Sequence, residues 1–439
     1  MWSDIPSIPT AFGDSDGVES RPSLHRLGSL MNTTTLRDNA KAAALAAWPI
    51  YGATVPTGQY GITTTGEVAP VLSTLRDGTD LAAVWTEFSE VLDIWNKDRR
   101  KLTDLLAFRT VNAGEAVPQN ITPALFEQAT EIGVPQAAGT PGDSLMLGYQ
   151  FTDYDIATRL TRLFLRGADV RQVRAIMDNI LTGDTTLTTG EILKSIFGKT
   201  RRKNPEGFTV YDLYDGVAPG PPPYLGRQFP TEETHYITSA TEQVDAGDAE
   251  HLIRLVTRKG FSKETGATLL LLCNPDEAEH VMSWRANQPS RPPEGAETID
   301  DVPVARWDFV PSESQPPYLS GDGGELIGEP VPGSFHDIPV LGSYGEALVI
   351  QSDYVPSGYI AAVATYGPNS DRNVVGFREW PDASQQGLRL MPGNWSGVPL
   401  VESFATRGFG TGVRRRGGAA VCQITTEPAY TAPAFITHR

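Results

Sequence analysis

The residues best equipped for chemistry are thinly spread along this chain. Six histidines run from His25 to His438, and none forms the H-E-x-x-H pair that would seat zinc beside a general base. Glu277-Ala-Glu-His280 is a lone E-x-x-H, whereas carboxylate-bridged metal pairs need two such motifs and two further carboxylates. A helix-face or surface role therefore suits His280. Cys273 and Cys422 sit in separate apolar runs without zinc spacing, and read as buried free thiols. Gly198-Lys199-Thr200 lacks the glycine that a phosphate loop needs five residues upstream, where Leu193 stands, and it closes an expected helix instead of opening one. Gly393-Asn-Trp-Ser-Gly has the wrong spacing for a nucleophile elbow. Gly321-Asp-Gly-Gly lacks the alternating oxygen ligands of a calcium loop. No catalytic residue, metal site or cofactor is expected, and a metal-dependent hydrolase, the enzyme reading to be weighed, wants for ligands.

Composition points the same way. A chain of 439 residues has room for two to three domains and a substantial core. Its 43 glycines and 34 prolines exceed the ~12% average and favour turns and long ordered loops. A mean hydropathy of -0.24 is that of a soluble globular protein. No window offers the ~18 apolar residues of a membrane helix. The first residues lack a basic stretch followed by an apolar one, so no signal peptide is expected, and the cysteine usage fits a reducing compartment. The net charge of -17 is uneven: 23 acidic and 8 basic residues fall between Glu206 and Asp337. Such a surface does not grip phosphate backbones, and reads as a solvated acidic face that aids solubility.

The elements that would position any functional residue read as follows. Residues 1–68 form an arm rich in Thr, Gly, Pro and Ser, with one helix expected over 35–48. Leu81, Val84, Trp85, Phe88, Val91, Leu92 and Trp95 recur at helical spacing within 81–106. A long hairpin is expected next, with arms at 105–111 and 145–151 and a polar, Pro/Gly-rich tip at 112–144. A two-stranded ribbon needs something to lie against, so this one is expected to pack on another chain. Asp153 is a plausible N-cap for a helix over 154–166. Further helices are expected over 169–182 and 188–197, followed by the basic patch Lys199-Thr-Arg-Arg-Lys. Helices over 248–259 and 275–285 flank a buried strand at 268–273, which makes the acidic segment α/β. Residues 288–332 read as irregular loop. From 347 onward, β-type runs alternate with turn signals, among them Met391-Pro-Gly-Asn and Gly408-Phe-Gly-Thr-Gly.

The run Arg414-Arg415-Arg416 precedes the last apolar stretch. On an alternating strand Arg414 and Arg416 would share one face and Arg415 the other. A solvated edge that deters mispairing is one reading, and ion pairing across a subunit interface is another.

The string Arg407-Gly-Phe-Gly-Thr-Gly-Val-Arg-Arg-Arg-Gly-Gly-Ala-Ala-Val-Cys-Gln-Ile-Thr resembles the C-terminal signature of tailed-phage major capsid proteins, those of phages infecting actinobacteria. Tyr354-Val-Pro-Ser-Gly-Tyr, Gly367-Pro-Asn-Ser, Val375-Gly-Phe-Arg-Glu and Gly387-Leu-Arg-Leu-Met-Pro-Gly-Asn strengthen the resemblance. It implies an α+β Hong Kong 97-like fold: an arm at 1–68, a peripheral helical segment at 69–104 and an extended loop at 105–152. A spine-helix region at 153–205, an acidic axial domain at 206–345 and peripheral strands at 346–439 would follow. It further implies a virion shell protein that self-assembles, in the host cytoplasm, as pentamers and hexamers into an icosahedron around double-stranded DNA, with no sequence-specific binding and no membrane. Scaffold, portal and decoration proteins are implied partners. An encapsulin-type cellular nanocompartment is the alternative on the same fold. Assembly contacts are expected at Phe108, Arg109, Phe126, Leu145, Leu147, Arg414, Arg415 and Arg416, with binding of packaged DNA a third reading of the arginine run. Some members crosslink an extended-loop lysine to a neighbour's asparagine; no lysine occurs between Lys101 and Lys194 here, so that chemistry is not expected.

Overall fold

The computed structural model describes residues 75–97, 101–118, 144–225, 227–229, 233–295, 297–313, 331–392 and 400–438. The arm and its expected helix, and Phe126 at the hairpin tip, lie outside them.

In chain order, α1 (Leu81–Lys97) buries Leu81, Val84, Phe88 and Leu92, the stripe anticipated from the sequence. A short α2 (Lys101–Leu106) runs into β1 (Ala107–Thr110). β2 (Gly114–Pro118) and β3 (Ser144–Gly148) form an antiparallel ribbon, with Gly114 opposite Gly148 and Pro118 opposite Ser144. The hairpin therefore exists, but its first arm begins at Gly114. Of the expected arm at 105–111, Leu105 and Leu106 end α2 and Ala107 to Thr110 pair in parallel with residues 375–378, inside a larger sheet.

The helix expected over 154–166 is mostly strand. β4 (Thr152–Thr161) is extended, and only α3 (Arg162–Gly167) is helical, capped by the Thr161 side chain and not by Asp153. Ten residues of β4 pair with a later strand, and that long ladder overrides the local helical pattern. The next two expected helices are one. α4 (Val170–Phe197) opens on a capping box between Asp169 and Gln172 and passes through Gly183 without a break. Both halves are packed, so the ~1 kcal/mol helix penalty of an interior glycine is offset by neighbours on either side.

β5 (Tyr236–Thr238), α5 (Ala246–Thr257), β6 (Thr268–Cys273), α6 (Pro275–Ser283) and β7 (Phe309–Pro311) follow. The stretch expected as irregular loop thus contains a strand. β8 (Gly342–Tyr344), β9 (Ala347–Gln351), β10 (Tyr359–Thr365), β11 (Val375–Glu379) and β12 (Leu388–Pro392) lead to β13 (Leu400–Val413) and β14 (Ala419–Gln423). Met391-Pro392, expected as a turn, ends β12, and Gly408 to Gly412 lie inside β13. Their glycines have a steric reason. A Cβ on Gly410 would sit 1.4 Å from the Gln150 carbonyl oxygen, and one on Gly412 would sit 2.7 Å from that of Gly148. Only glycine lets the chain entering β4 cross so closely.

Seven strands form one sheet in the order β5-β14-β10-β6-β9-β8-β7. β9, β10 and β14, expected among the peripheral strands, are hydrogen-bonded into the sheet of the acidic segment. β6 is a continuous apolar run because both its faces are covered. Leu269, Leu271 and Cys273 face α5 and α6, while Leu270 and Leu272 face the core shared with the C-terminal half of α4. Both cysteines are buried and free. A second sheet contains β1, β11, β13 and β12, with β4 also paired to β13. It shares a third core with α1, α3 and the N-terminal half of α4. α4, about 42 Å long at 1.5 Å per residue, thus takes part in both cores.

Candidate functional site

The arginine run does not continue a strand. Arg414 to Gly418 form the turn between β13 and β14, so the alternating-face expectation gives way to three separate destinations. The Arg416 side chain is buried, donating Nε to the Asp212 carbonyl at 3.1 Å and Nη2 to Asp215 Oδ1 at 3.3 Å, with Nη1 on the Pro219 carbonyl. It lies over the rings of Tyr211 and Tyr214. Asp215 also accepts from Arg201 at 3.0 Å, so part of the basic patch after α4 is committed within the chain. Burial pushes the Asp212 carboxyl up to about 6, against the opposing pull of Arg202 and Arg416. Arg414 turns the other way. It pairs with Glu115 on β2 and lies 5.0 Å from the centre of the Phe108 ring. Arg415 points to neither. Among the described residues its guanidinium has no hydrogen bond or ion pair, and burial followed by the charge of Arg414 lowers its proton affinity.

Arg414 thereby ties the turn to the root of the hairpin. Glu115 also accepts from the Tyr149 hydroxyl at 2.9 Å, and Phe108 meets Tyr149 edge-on at 6.2 Å. Asn204 donates to the carbonyls of Ala113 (2.8 Å) and Tyr149 (3.1 Å) and fixes the ribbon's inner end. Phe208 fills the space that the missing side chains of Gly114 and Gly148 leave. Of the residues singled out from the sequence, Phe108 and Leu147 are interior and Leu145 is half-buried. Arg109 is exposed, 3.6 Å from Asp104. The structure brings Phe108, Leu147 and Arg414 to one region, the base of the ribbon, and places Leu145 opposite Val117 near its outer end.

A groove of about 390 Å³ opens beside this base. Its walls include Val117 and Leu145 at the ribbon ends, the proline run 221–223, Arg372 and the arginine turn. Sequence reasoning passed over Arg372 and the prolines. The signal was there in Gly220-Pro-Pro-Pro-Tyr, a stiff stretch whose backbone is set before folding.

A second charged group was also missed. Arg407 Nε lies 3.5 Å from Asp184 Oδ1 and Arg407 Nη2 3.9 Å from Glu379 Oε1, while Trp95 donates to Asp184 at 3.0 Å. This buried cluster ties α1, α4, β11 and β13 together. The lone E-x-x-H is structural in its contacts: Glu277 accepts the Gly358 amide at 2.6 Å, and His280 meets the Gln243 side chain at 2.9 Å.

Comparison with solved structures decides the family. A chain of Mycobacterium phage Patience superimposes with a TM-score of 0.61 at 34% sequence identity, over 87% of this chain and 97% of that one. The chain belongs to the tailed-phage major capsid proteins. The mixed sheets and helices are those of the Hong Kong 97-like fold, and this capsid protein is a shell-forming structural component of a virion. A gene-transfer-agent (GTA) capsid chain is 15% identical over 87% of this chain and 98% of its own, with a TM-score of 0.38. The encapsulin of Synechococcus elongatus is 14% identical over 90% and 98%, with a TM-score of 0.35. Superpositions that weak add nothing to the assignment. No protein-family model and no curated protein matches the chain.

Proposed function

We propose that this capsid protein assembles as pentamers and hexamers that close into an icosahedral shell around double-stranded DNA, in the cytoplasm of a bacterial host. The observation that carries the reading is the 34% identity to the Mycobacterium phage Patience chain across nearly all of that chain's length. The seven-stranded sheet with α5 and α6 would be the axial domain. The second sheet with α1 and α4 would be the peripheral domain, α4 its spine, and β2–β3 with residues 119–143 the extended loop. Many weak contacts suffice for such a shell, because closed symmetry multiplies them. Scaffold, portal and decoration proteins would be the further partners. The encased DNA would be held without sequence readout, since 206–337, with 23 acidic and 8 basic residues, carries most of the chain's net negative charge and repels phosphate.

Expression of the full chain followed by negative-stain microscopy tests this. Closed shells or capsomer rings are expected, and monodisperse small particles would count against it. Denaturing gels of the particles should show a band near 47.5 kDa, because the loop offers no lysine for a covalent link. A ladder resistant to boiling and reductant would contradict that.

A further inference from the structure

The groove beside the arginine turn combines five cations with an apolar lining, in a chain of net charge -17. Two of the cations, Arg416 and Lys259, are buried and committed, to Asp215 at 3.3 Å and to Glu233 at 2.9 Å. The other three come from two separate turns, β10–β11 and β13–β14, and the fold draws them together. Arg372 is exposed, lies 3.8 Å from the Tyr366 ring centre and donates Nη1 to the Thr265 carbonyl at 3.2 Å. Arg414 gives Nη2 to Glu115 and Nη1 to the Asp371 carbonyl, and its buried Nε has no hydrogen-bond partner among the described residues. Arg415 is half-buried, attracted by Asp371 and repelled by Arg414 and Arg372. Among the described residues, three guanidiniums thus share two carboxylates, Glu115 and Asp371. Like charges gathered away from water disfavour one another, and an incoming anion offsets that cost.

The apolar part of the lining is stiff. Pro221, Pro222 and Pro223 lead into Tyr224, and Phe261 is also in the lining. Each proline ring fixes its own φ, so this wall needs little further ordering to receive a ligand. Tyr224 is seated on Gly260, where a Cβ would come within 2.6 Å of its ring. Reciprocal backbone bonds between Tyr224 and Arg227, 3.1 and 2.9 Å, close a tight turn that holds Leu225 at the rim, 75% exposed. A space of about 390 Å³ falls within the range of small-molecule sites, about 300–1,000 Å³.

We propose that this groove binds a small organic phosphate, with the phosphate on Arg372, Arg414 and Arg415 and a flat body, of the kind a nucleoside offers, along Pro221 to Tyr224. The proposal stands independently of shell assembly. Guanidinium forks match phosphate oxygens two at a time, and planar rings stack on tyrosine and guanidinium faces. Size separates this site from a genome contact. A duplex lays a row of phosphates across a surface, and here it would meet the 23 acidic and 8 basic residues between Glu206 and Asp337. A small ligand inside the groove meets the cations at contact distance, while exposed carboxylates farther off are screened over about 10 Å at about 0.1 M salt. The lining joins Val117 and Leu145 on the ribbon to the proline run and the arginine turn, so an occupant would tie the ribbon to the body of the subunit.

Thermal melting of the full chain with a panel of anions tests this. A nucleoside diphosphate should raise the melting temperature by a few degrees in a concentration-dependent way, pyrophosphate should do so more weakly, and sulfate and a short DNA duplex should not. In calorimetric titrations, Arg372→Gln and Arg415→Gln should each weaken binding of the nucleoside diphosphate roughly tenfold or more, with melting in its absence unchanged. Arg372→Lys keeps the charge, loses the fork and should fall between. Arg109→Gln, outside the groove, should bind normally. Arg372 is exposed, so its variants read affinity even if Arg415→Gln alters the fold. Absence of stabilisation by every phosphate overturns the proposal. Equal stabilisation by sulfate, which marks unselective anion binding, also overturns it, as does undiminished affinity in the glutamine variants. Duplex binding that depends on the same arginines, without a response to the diphosphate, would assign them to the genome and overturn it too.

Discussion

The seven-stranded sheet and the β2–β3 ribbon are built from similar apolar residues and reach opposite states. In β6 every residue from Leu269 to Cys273 is at most 2% exposed, because α5 and α6 cover one face and a core shared with α4 covers the other. The ribbon buries Val117 and Leu147 but leaves Met146 45% exposed. Its order is borrowed from Asn204, Phe208 and Arg414 at its inner end. A sheet closed on both faces stabilises itself, whereas a one-faced ribbon gains most from a surface supplied by something else.

The sharpest break of that comparison is to remove the tip. Replacing residues 119–143 by a two-glycine turn joining Pro118 to Ser144 should leave the melting temperature within a few degrees and abolish shells altogether. If shells of normal size still form, the ribbon is not an assembly element. The reverse experiment is Leu271→Ala. It should cost about 2–5 kcal/mol, as deletions in a filled core do, and be visible as a lowered denaturant midpoint. Met146→Ala, on the ribbon's open face, should cost less than about 0.5 kcal/mol and yet impair assembly. Equal stability losses at the two positions would erase the distinction.

The arginine turn sharpens the comparison at smaller scale. Arg416→Ala would leave the Asp212 and Pro219 carbonyls without their donor and Asp215 with Arg201 alone as its ion-pair partner, and should cost about 3 kcal/mol. Arg414→Ala breaks a more open pair at the ribbon root and should cost about 1 kcal/mol. Chemical denaturation of the two variants measures both.

A separate effect concerns pH. Asp248, at the start of α5, is pushed up to about 7 by burial and by neighbouring Asp245. The fold thus favours its neutral form. The stability this contributes is full below about pH 4, near the ordinary carboxyl value, and is lost as pH rises through about 7. Melting scans from pH 4 to 7 should show a decline that Asp248→Asn, which cannot ionise, reduces; a residual slope from Asp245, also raised by burial, should remain. An unchanged slope would show that Asp248 is not the titrating group.

Several elements were legible from the chain alone because each announces its own burial. The Leu269 to Cys273 run, the stripe of α1, the Pro-initiated α6 and the strands β9, β10 and β14 all stand close to where composition and periodicity put them. The family was legible too, through the string from Arg407 to Thr425. That string nonetheless concealed its own geometry. Its glycines read as a turn and are the middle of a 14-residue strand, and its arginines read as a strand and are a turn.

What the tertiary structure alone decided follows from pairing between distant residues. Thr152 to Thr161 is a strand because β13 lies alongside it, some 240 positions later. Ala107 to Thr110 leaves the hairpin because β11 offers a parallel edge. α4 runs through Gly183 because cores wait at both of its ends. Local propensity is worth a few tenths of a kcal/mol to about 1 kcal/mol per residue, and a ten-residue ladder or a buried helix face outweighs it. The same holds for the groove. Its cations are plain in the sequence, but Lys259, Arg372 and Arg415 are far apart along the chain. Only the fold gathers them around one opening.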